Sequence, residues 1–401
     1  MDIFLIDKTV TYTYSELLHK INCSTSYDPM LKTNDLFDYF CNLVLALTSD
    51  KPLTLVDPDL KPKETVFSEE KKITVNNKQF LSVDQLIEKI QQSSSEITIF
   101  TSGTTGQPKK VTHPLSNLIR AVRMSTNHQN QTWAFAYNPT HMAGLQVFFQ
   151  AFMNKNTLVN VFNATRSEVY SAIEQYLVTH ISATPTFYRL LLPIELSFEH
   201  VRRITFGGEK SNDKLYDSMK LIFPNAKLNN IYASTEAGSL FVARGDCFEI
   251  PESLSDNVKI EEEELLIHQS LLGYSDSFAL SNSYYKTGDL IEWVDETKRL
   301  FRFKSRKNEL INVGGYKVNP REVEDIIQQI DGVEQALVYG KPNSVVGNIL
   351  CADIKLESIG CLSELEIRQH LSAKLQDYKT PRIIKFVESL SLTRTGKIKR
   401  I

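Results

Sequence analysis

Long apolar runs are missing from this sequence: nowhere do about 18 consecutive nonpolar residues occur, the length that a membrane-crossing helix needs. The opening residues, MDIFLIDKTVTYTY, also lack the basic stretch followed by an apolar run that marks a secretory leader, so a cytoplasmic protein is expected. Charge of one sign is scarce too. The 45 Lys and Arg against 48 Asp and Glu leave a net charge of −3, and the lysines are scattered among acidic residues, which provides no field for gripping a nucleic acid backbone. Neither nucleic acid nor a membrane is an expected partner. Cys23, Cys41, Cys247, Cys351 and Cys361 are odd in number, widely spaced and without the close pairs of a thiolate metal site, so they read as reduced thiols. Repeats and low-complexity tracts are absent.

What is present is an ordinary globular composition, 42% apolar and 23% charged over 401 residues. That length exceeds one average domain, so two domains are the starting expectation. From about residue 82 to 235, short apolar runs alternate with amphipathic segments, the pattern of parallel strands joined by crossover helices. EITIF (96–100), TWAFAY (132–137), TLVNVF (157–162), ISAT (181–184), RRITF (202–206) and KLNNIY (227–232) are the strand candidates. Thr165 and Glu168 form a capping box, and Val169, Ile173 and Leu177 follow at four-residue spacing, which predicts a helix. Ser82 with Gln85 caps another. From about 240 to 305, ELLIHQ, TGDLIEWVD and RLFRFKS predict a small β-rich subdomain. After Asn308 the α and β alternation resumes. Asn319-Pro320-Arg321-Glu322 is a helix start with Val323, Ile326, Ile327 and Ile330 on its buried face. Strands near 335–339, 349–356 and 383–387 and a helix over about 364–375 complete a compact α+β module. The last residues, SLTRTGKIKRI, have no apolar period and read as a tail or loop.

Directly after EITIF comes Thr101-Ser102-Gly103-Thr104-Thr105-Gly106-Gln107-Pro108-Lys109-Lys110. Glycines let successive N–H groups converge on phosphate oxygens, hydroxyls add donors and lysine supplies charge. Read alone, such a loop is a flexible connection, and it does not fit GxxxxGK followed by Ser or Thr, which argues against a P-loop ATPase or kinase.

Five segments in order, FTSGTTGQPKK, IYASTEAG, YKTGDL, FKSRKNELINVGGYKVNPREVED and TRTGKIKR, together resemble the adenylate-forming superfamily of acyl-CoA and aryl-CoA synthetases, luciferases and peptide-synthetase adenylation domains. The resemblance covers nearly the whole chain. It implies an α/β fold: a large multilayer N-terminal AMP-binding domain, 1–307, with a shortened first subdomain over 1–80 and a β-rich lobe over about 240–305, and a small mobile α+β C-terminal domain, 308–401. It also implies the chemistry. ATP and Mg²⁺ activate a carboxylic acid as acyl-AMP with release of pyrophosphate, and the acyl group then passes to CoA or to the phosphopantetheine arm of an acyl carrier protein. CoA is favoured because no carrier domain is attached. Monomer and homodimer both stay open.

Roles carry over residue by residue. The resemblance puts Thr101, Ser102, Gly103, Thr104, Thr105, Gly106 and Lys109 on the phosphates, and Gly207, Gly208 and Glu209 along the adenine. It puts Tyr232 against the adenine, Thr235 on a phosphate and Glu236 beside Mg²⁺, a hard cation that suits a carboxylate. Asp289 would accept from both ribose hydroxyls, with Arg306 also reaching the ribose; unaided, TGDL reads as a plain turn. Lys397 is the first choice for the catalytic residue, since a cation between carboxylate and α-phosphate stabilises the charge that accumulates there; unaided, it reads as a basic tail. Asn308 matches the hinge about which the small domain would present Gly314, Gly315 and Tyr316 to the thiol. His141 in NPTHMAGL matches a histidine lining the acyl pocket. The aspartate that holds an α-ammonium in amino-acid-activating domains is not evident, so an acid without an α-amino group is expected. HMAGL and ATPTFYRLL resemble o-succinylbenzoate-CoA ligases. Lys110, Ser305 and Ala233 depart from the family pattern, and a degenerate, non-catalytic nucleotide-binding protein is the alternative of another class.

Overall fold

The computed structural model describes residues 2–30, 32–57, 72–75, 79–101, 109–209, 211, 213–343, 347–358, 360–392 and 398–399. Short-range chemistry accounts for many of its helix starts. Thr165 accepts from the Glu168 N–H while the Glu168 carboxylate accepts from the Thr165 N–H, opening Arg166–Gln175. The same reciprocal pair, Ser363 with Glu366, opens Glu364–Lys374, and Asn319 caps Pro320–Gln328 with proline in the first turn. The capped helices then bury the face their spacing predicts: Val169 and Ile173 are fully enclosed, as are Val323 and Ile327. Leu177 is not part of that face. The helix has ended at Gln175, and Leu177 adopts a left-handed φ of 49° with its side chain 61% exposed.

Six strands are mutually parallel and neighbours in one sheet: Ile3–Asp7, Thr157–Asn160, Thr132–Phe135, His180–Ala183, Arg203–Gly207 and Lys227–Ser234. One expectation is corrected here. Glu96–Thr101 is a strand but lies outside this sheet. It pairs antiparallel with Lys109–Pro114 and parallel with Leu53–Thr54 in a separate three-stranded sheet; the next described element along the chain is thus an antiparallel strand and not a crossover helix. The β-rich stretch over about 240–305 has a hydrophobic core of its own, and its strands are hydrogen-bonded onto the edge of the large sheet. Lys227–Ser234 pairs antiparallel with Gly238–Arg244, and the order runs on through Cys247–Glu249, Leu300–Arg306, Tyr284–Asp295, Glu264–His268 and Val258–Glu261.

A second, five-stranded sheet joins Tyr316–Val318, Ile311–Val313, Gly347–Leu356, Val333–Asn343 and Ile383–Phe386. Its core is Val318, Val323, Ile327, Val338, Leu350, Ile367 and Leu371, separate from the cores of the large sheet. One of those cores is aromatic. Phe40 of helix Leu36–Thr48 stacks on Phe148 of helix Met142–Phe152 at 4.5 Å and meets Phe135 edge-on at 5.6 Å. Burying each such ring contributes roughly 2–3 kcal/mol, which fixes the helices that frame one side of the site. No helix of the described residues is long and apolar enough to cross a membrane.

Candidate active site

Open, mostly parallel sheets bind ligands beyond the carboxyl ends of their strands. At those ends stand Asn138, Thr184, the Gly207-Gly208-Glu209 turn and the Ser234-Thr235-Glu236 loop. The antiparallel extension brings a further group to the same place. Asp289 and Arg306 are directly opposite in the register of Tyr284–Asp295 and Leu300–Arg306, so residues 17 apart in sequence meet. Arg306 Nε donates to Asp289 Oδ1 at 2.6 Å and Tyr232 Oη donates to Oδ2 at 2.6 Å. Burial opposes the charge on Arg306, but Asp289 more than offsets it and the guanidinium is pushed further up. Burial, with Asp289 second, raises the Tyr232 hydroxyl. The TGD segment is therefore more than a turn. Thr287 Oγ1 donates to the Leu265 carbonyl and accepts from the Asp289 N–H, and the Gly288 N–H, at φ +74°, donates to Glu264. The Tyr232 ring stacks on Phe303 at 4.5 Å and on Phe241 at 5.6 Å.

The Thr235-Glu236-Ala237 loop is held from beneath by residues that no motif marked. His113, at the end of Lys109–Pro114, is fully buried, and its Nε2 donates to the Thr235 carbonyl at 2.7 Å. Arg120 Nη2 donates to the Ala237 carbonyl at 2.7 Å, and Asn117 Nδ2 to the Leu272 carbonyl. The Gly273 N–H in turn donates to the Glu236 carbonyl at 2.8 Å. Gly273 has to be glycine, because a Cβ there would lie 2.6–2.8 Å from three atoms of the His113 ring. Burial first, then the Arg120 charge, brings His113 down to about 4, which keeps the ring neutral. Among the described residues no three His, Cys, Asp or Glu converge as a metal site. Glu236 supplies a carboxylate on this loop, and Mg²⁺ is commonly held by one or two carboxylates together with substrate phosphates.

Two further groups face the strand ends. Gly207 packs beneath the Tyr137 hydroxyl, 3.0 Å from where its Cβ would be. Glu209, two residues on, has both oxygens bonded: Oε2 accepts from the Thr186 N–H at 3.1 Å and from Thr186 Oγ1 at 2.7 Å, while Oε1 accepts from the Ile398 N–H at 3.0 Å. His141, the residue before helix Met142–Phe152, donates from Nε2 to Asp57 Oδ2 at 3.1 Å. Asn138 Nδ2 and Thr140 Oγ1 donate to the other oxygen of Asp57, at 2.6 and 2.9 Å. Burial alone would raise the Asp57 carboxyl; His141 above all, with Asn138 and Thr140, brings it to about 2. Sequence reasoning missed Asp57, whose only signal was its place beside a proline in LVDPDL, and also missed His113, Asn117 and Arg120.

Ser102, Gly103, Thr104, Thr105, Gly106 and Lys397 lie outside the described residues. Thr101 and Lys109 are partners in the register of their two strands. Asn308 is in the turn Lys307–Glu309. Gly314 and Gly315, at φ +58° and +91°, turn the chain between Ile311–Val313 and Tyr316–Val318, and the Gly315 N–H donates to Asn312. Beside them is a cavity of about 200 Å³, lined by Val313, Gly314, Tyr316, Tyr378 and Arg382 among others, with the rings of Tyr316 and Tyr378 stacked at 4.4 Å. These two glycines belong to the second sheet and do not join the groups at the strand ends of the first.

The AMP-binding enzyme family matches this chain over residues 41–259, and the AMP-binding enzyme C-terminal domain over 322–397. The chain is 29% identical over 354 residues to 4-hydroxybutyrate–CoA ligase 1 of Metallosphaera sedula, covering 76% of this chain and 61% of that protein. It is 27% identical over 329 residues to 2-succinylbenzoate–CoA ligase of Staphylococcus aureus, covering 75% and 65%. It thus spans less than two thirds of either relative. Among solved structures, o-succinylbenzoate CoA synthetase from Bacillus subtilis with the acyl-adenylate OSB-AMP superposes with a TM-score of 0.75 at 19% identity, covering 99% of this chain and 94% of that one. ATP-bound MatB from Rhodopseudomonas palustris does so with a TM-score of 0.76 at 14% identity, covering 99% and 94%. These two share the fold.

Proposed function

This chain belongs to the AMP-binding enzyme family, and on that premise we propose that it is a cytoplasmic, ATP-dependent acid–thiol ligase acting on an aryl or acyl carboxylic acid without an α-amino group. The observation that carries the reading is the convergence of Asp289, Arg306 and Tyr232, from three separate strands, with the Thr235–Glu236 loop that follows the strand of Tyr232. In this reading Asp289, held by Arg306 and Tyr232, accepts from the ribose hydroxyls, and its fixed carboxylate orients the nucleotide without further ordering. Thr235 donates to a phosphate from a loop that His113 and Arg120 keep in place. Mg²⁺, when bound at Glu236, would neutralise phosphate charge. The acid's carboxylate oxygen attacks the α-phosphorus, the bond to the β-phosphate oxygen breaks, and pyrophosphate leaves; Lys397 stabilises the charge shared by the two anions. The C-terminal module, 308–401, then turns about Asn308, and a thiolate displaces AMP from the acyl carbon.

The names of the relatives support CoA as the acceptor; the phosphopantetheine of a carrier protein offers the same thiol. The test is acid-dependent exchange of labelled pyrophosphate into ATP, across succinylated aryl, aryl and aliphatic acids, in the wild type and in Lys397→Ala. Exchange with one acid class, reduced at least about a hundredfold in the variant, is the expected result. No exchange with any acid, despite measurable ATP binding, would favour the non-catalytic reading.

A further inference from the structure

Glu209 carries a tie between the body of the protein and its C-terminal tail. One carboxylate oxygen is held by Thr186, through both its N–H and its hydroxyl, at the start of helix Pro185–Leu190. The other oxygen accepts from the backbone N–H of Ile398, a contact between residues 189 apart. Ile398 directly follows Lys397 in the sequence. Its strand bridge to Leu392, together with the Lys399 N–H donating to the Ser391 carbonyl at 2.8 Å, closes the two ends of the tail segment on each other at the same point.

The surrounding face is an interface between the two sheets. Lys214, shortly after the Glu209 turn, donates to Glu357 at 3.2 Å and lies 3.5 Å from the Val333 carbonyl, both on the smaller module. Arg189, on the same helix as Thr186, is half-buried in the negative field of Glu209 and of Asp325, Glu324 and Glu334 from the smaller module; desolvation lowers its guanidinium and these carboxylates oppose that. Glu209 is the member of this face that bonds the backbone next to Lys397.

We propose that Glu209 is a positioning residue whose carboxylate latches the tail to the strand ends, so that it serves the acid-activating half of the reaction and not the thiol-transfer half. The proposal rests on the ligase reading above. A charge-assisted hydrogen bond to a backbone N–H is strong and directional, and it is made to a segment that would leave when the small module turns. Both oxygens of Glu209 are engaged while Thr186 and Ile398 are bound, which leaves at most one acceptor site, on Oε1. Its effect would reach the reaction through Lys397, in kcat rather than in the KM for ATP.

The test uses Glu209→Gln in the full chain, which keeps the size of the side chain but replaces one acceptor oxygen by a donor. The amide hydrogen exchange of the peptide spanning Ser391–Lys399 is measured first, in the absence of substrates. The latch predicts faster exchange in the variant with global unfolding little changed; unchanged exchange in this peptide would overturn it, whether or not the wild type is active. The two half-reactions come second. Pyrophosphate exchange should fall about tenfold to a hundredfold in kcat, while thioester formation from supplied acyl-adenylate and CoA should stay within about twofold of the wild type. An equal loss in both half-reactions, or none in the first, would contradict the latch. Absence of exchange in the wild type itself would instead count against the ligase reading, and the amide exchange would still decide on the tie.

Discussion

His113 is fully enclosed and makes one hydrogen bond, from Nε2 to the Thr235 carbonyl, while its Nδ1 has no partner among the described residues. Protonating Nδ1 would bury a charge near Arg120, which is why the folded ring titrates only at about 4. Above about pH 6.5 neither the folded nor the unfolded chain holds that proton. Between 6.5 and about 4 the unfolded chain takes it up and the folded one does not, so stability falls with acidification across that window. His180, brought to about 4 by burial and by Arg203 and Arg202, acts in the same sense. Each histidine would cost up to about 3 kcal/mol by pH 4. Urea unfolding at pH 7, 6 and 5 should show this slope, and His113→Gln should flatten it by about half. A slope identical in the two proteins would contradict the assignment.

The elements around the site differ in how well sequence revealed them. Helix starts were legible because a cap is a local matter: Thr165 with Glu168 and Asn319 with Arg321 make their bonds within three residues. The hairpin of Glu96–Thr101 with Lys109–Pro114 was not, because KKVTHP has no strong alternation and its partner choice depends on Leu53–Thr54, more than 40 residues earlier. The fit of that hairpin to Gly273 was equally hidden, since it joins three distant segments. Gly273→Ala would drive a Cβ to 2.6 Å from the His113 ring, an overpacking that costs about 1–3 kcal/mol and shifts the loop carrying Glu236. Adding His113→Ala should recover part of that stability by making room, but not the pyrophosphate exchange, since the Thr235 carbonyl would then lose its donor. Thermal unfolding of the two single variants and the double variant checks this. Additive effects would mean that the two residues do not press on each other.

At the scale of the whole molecule, the order of five short motifs pointed to the family, and residues 41–259 and 322–397 match its two parts. Asp289 and Arg306 were each named from sequence, yet their pairing needed the register of two long strands. His141 was named too, but Asp57, its buried partner, had no motif to mark it. The β-rich stretch was visible as strands, whereas its continuity with the parallel sheet through Lys227–Ser234 and Gly238–Arg244 was not, because pairing between sheets is not written in local alternation. That continuity sets the ribose-binding candidates beside the loop candidates. Acid activation at this junction would be read in the products formed from ATP. Incubation with ATP, Mg²⁺, 2-succinylbenzoate and related acids, and CoA, followed by chromatography of the nucleotides, should yield AMP, pyrophosphate and an acyl-CoA thioester only when the accepted acid is present. ADP with phosphate, or nucleotide turnover that ignores every acid, would contradict it.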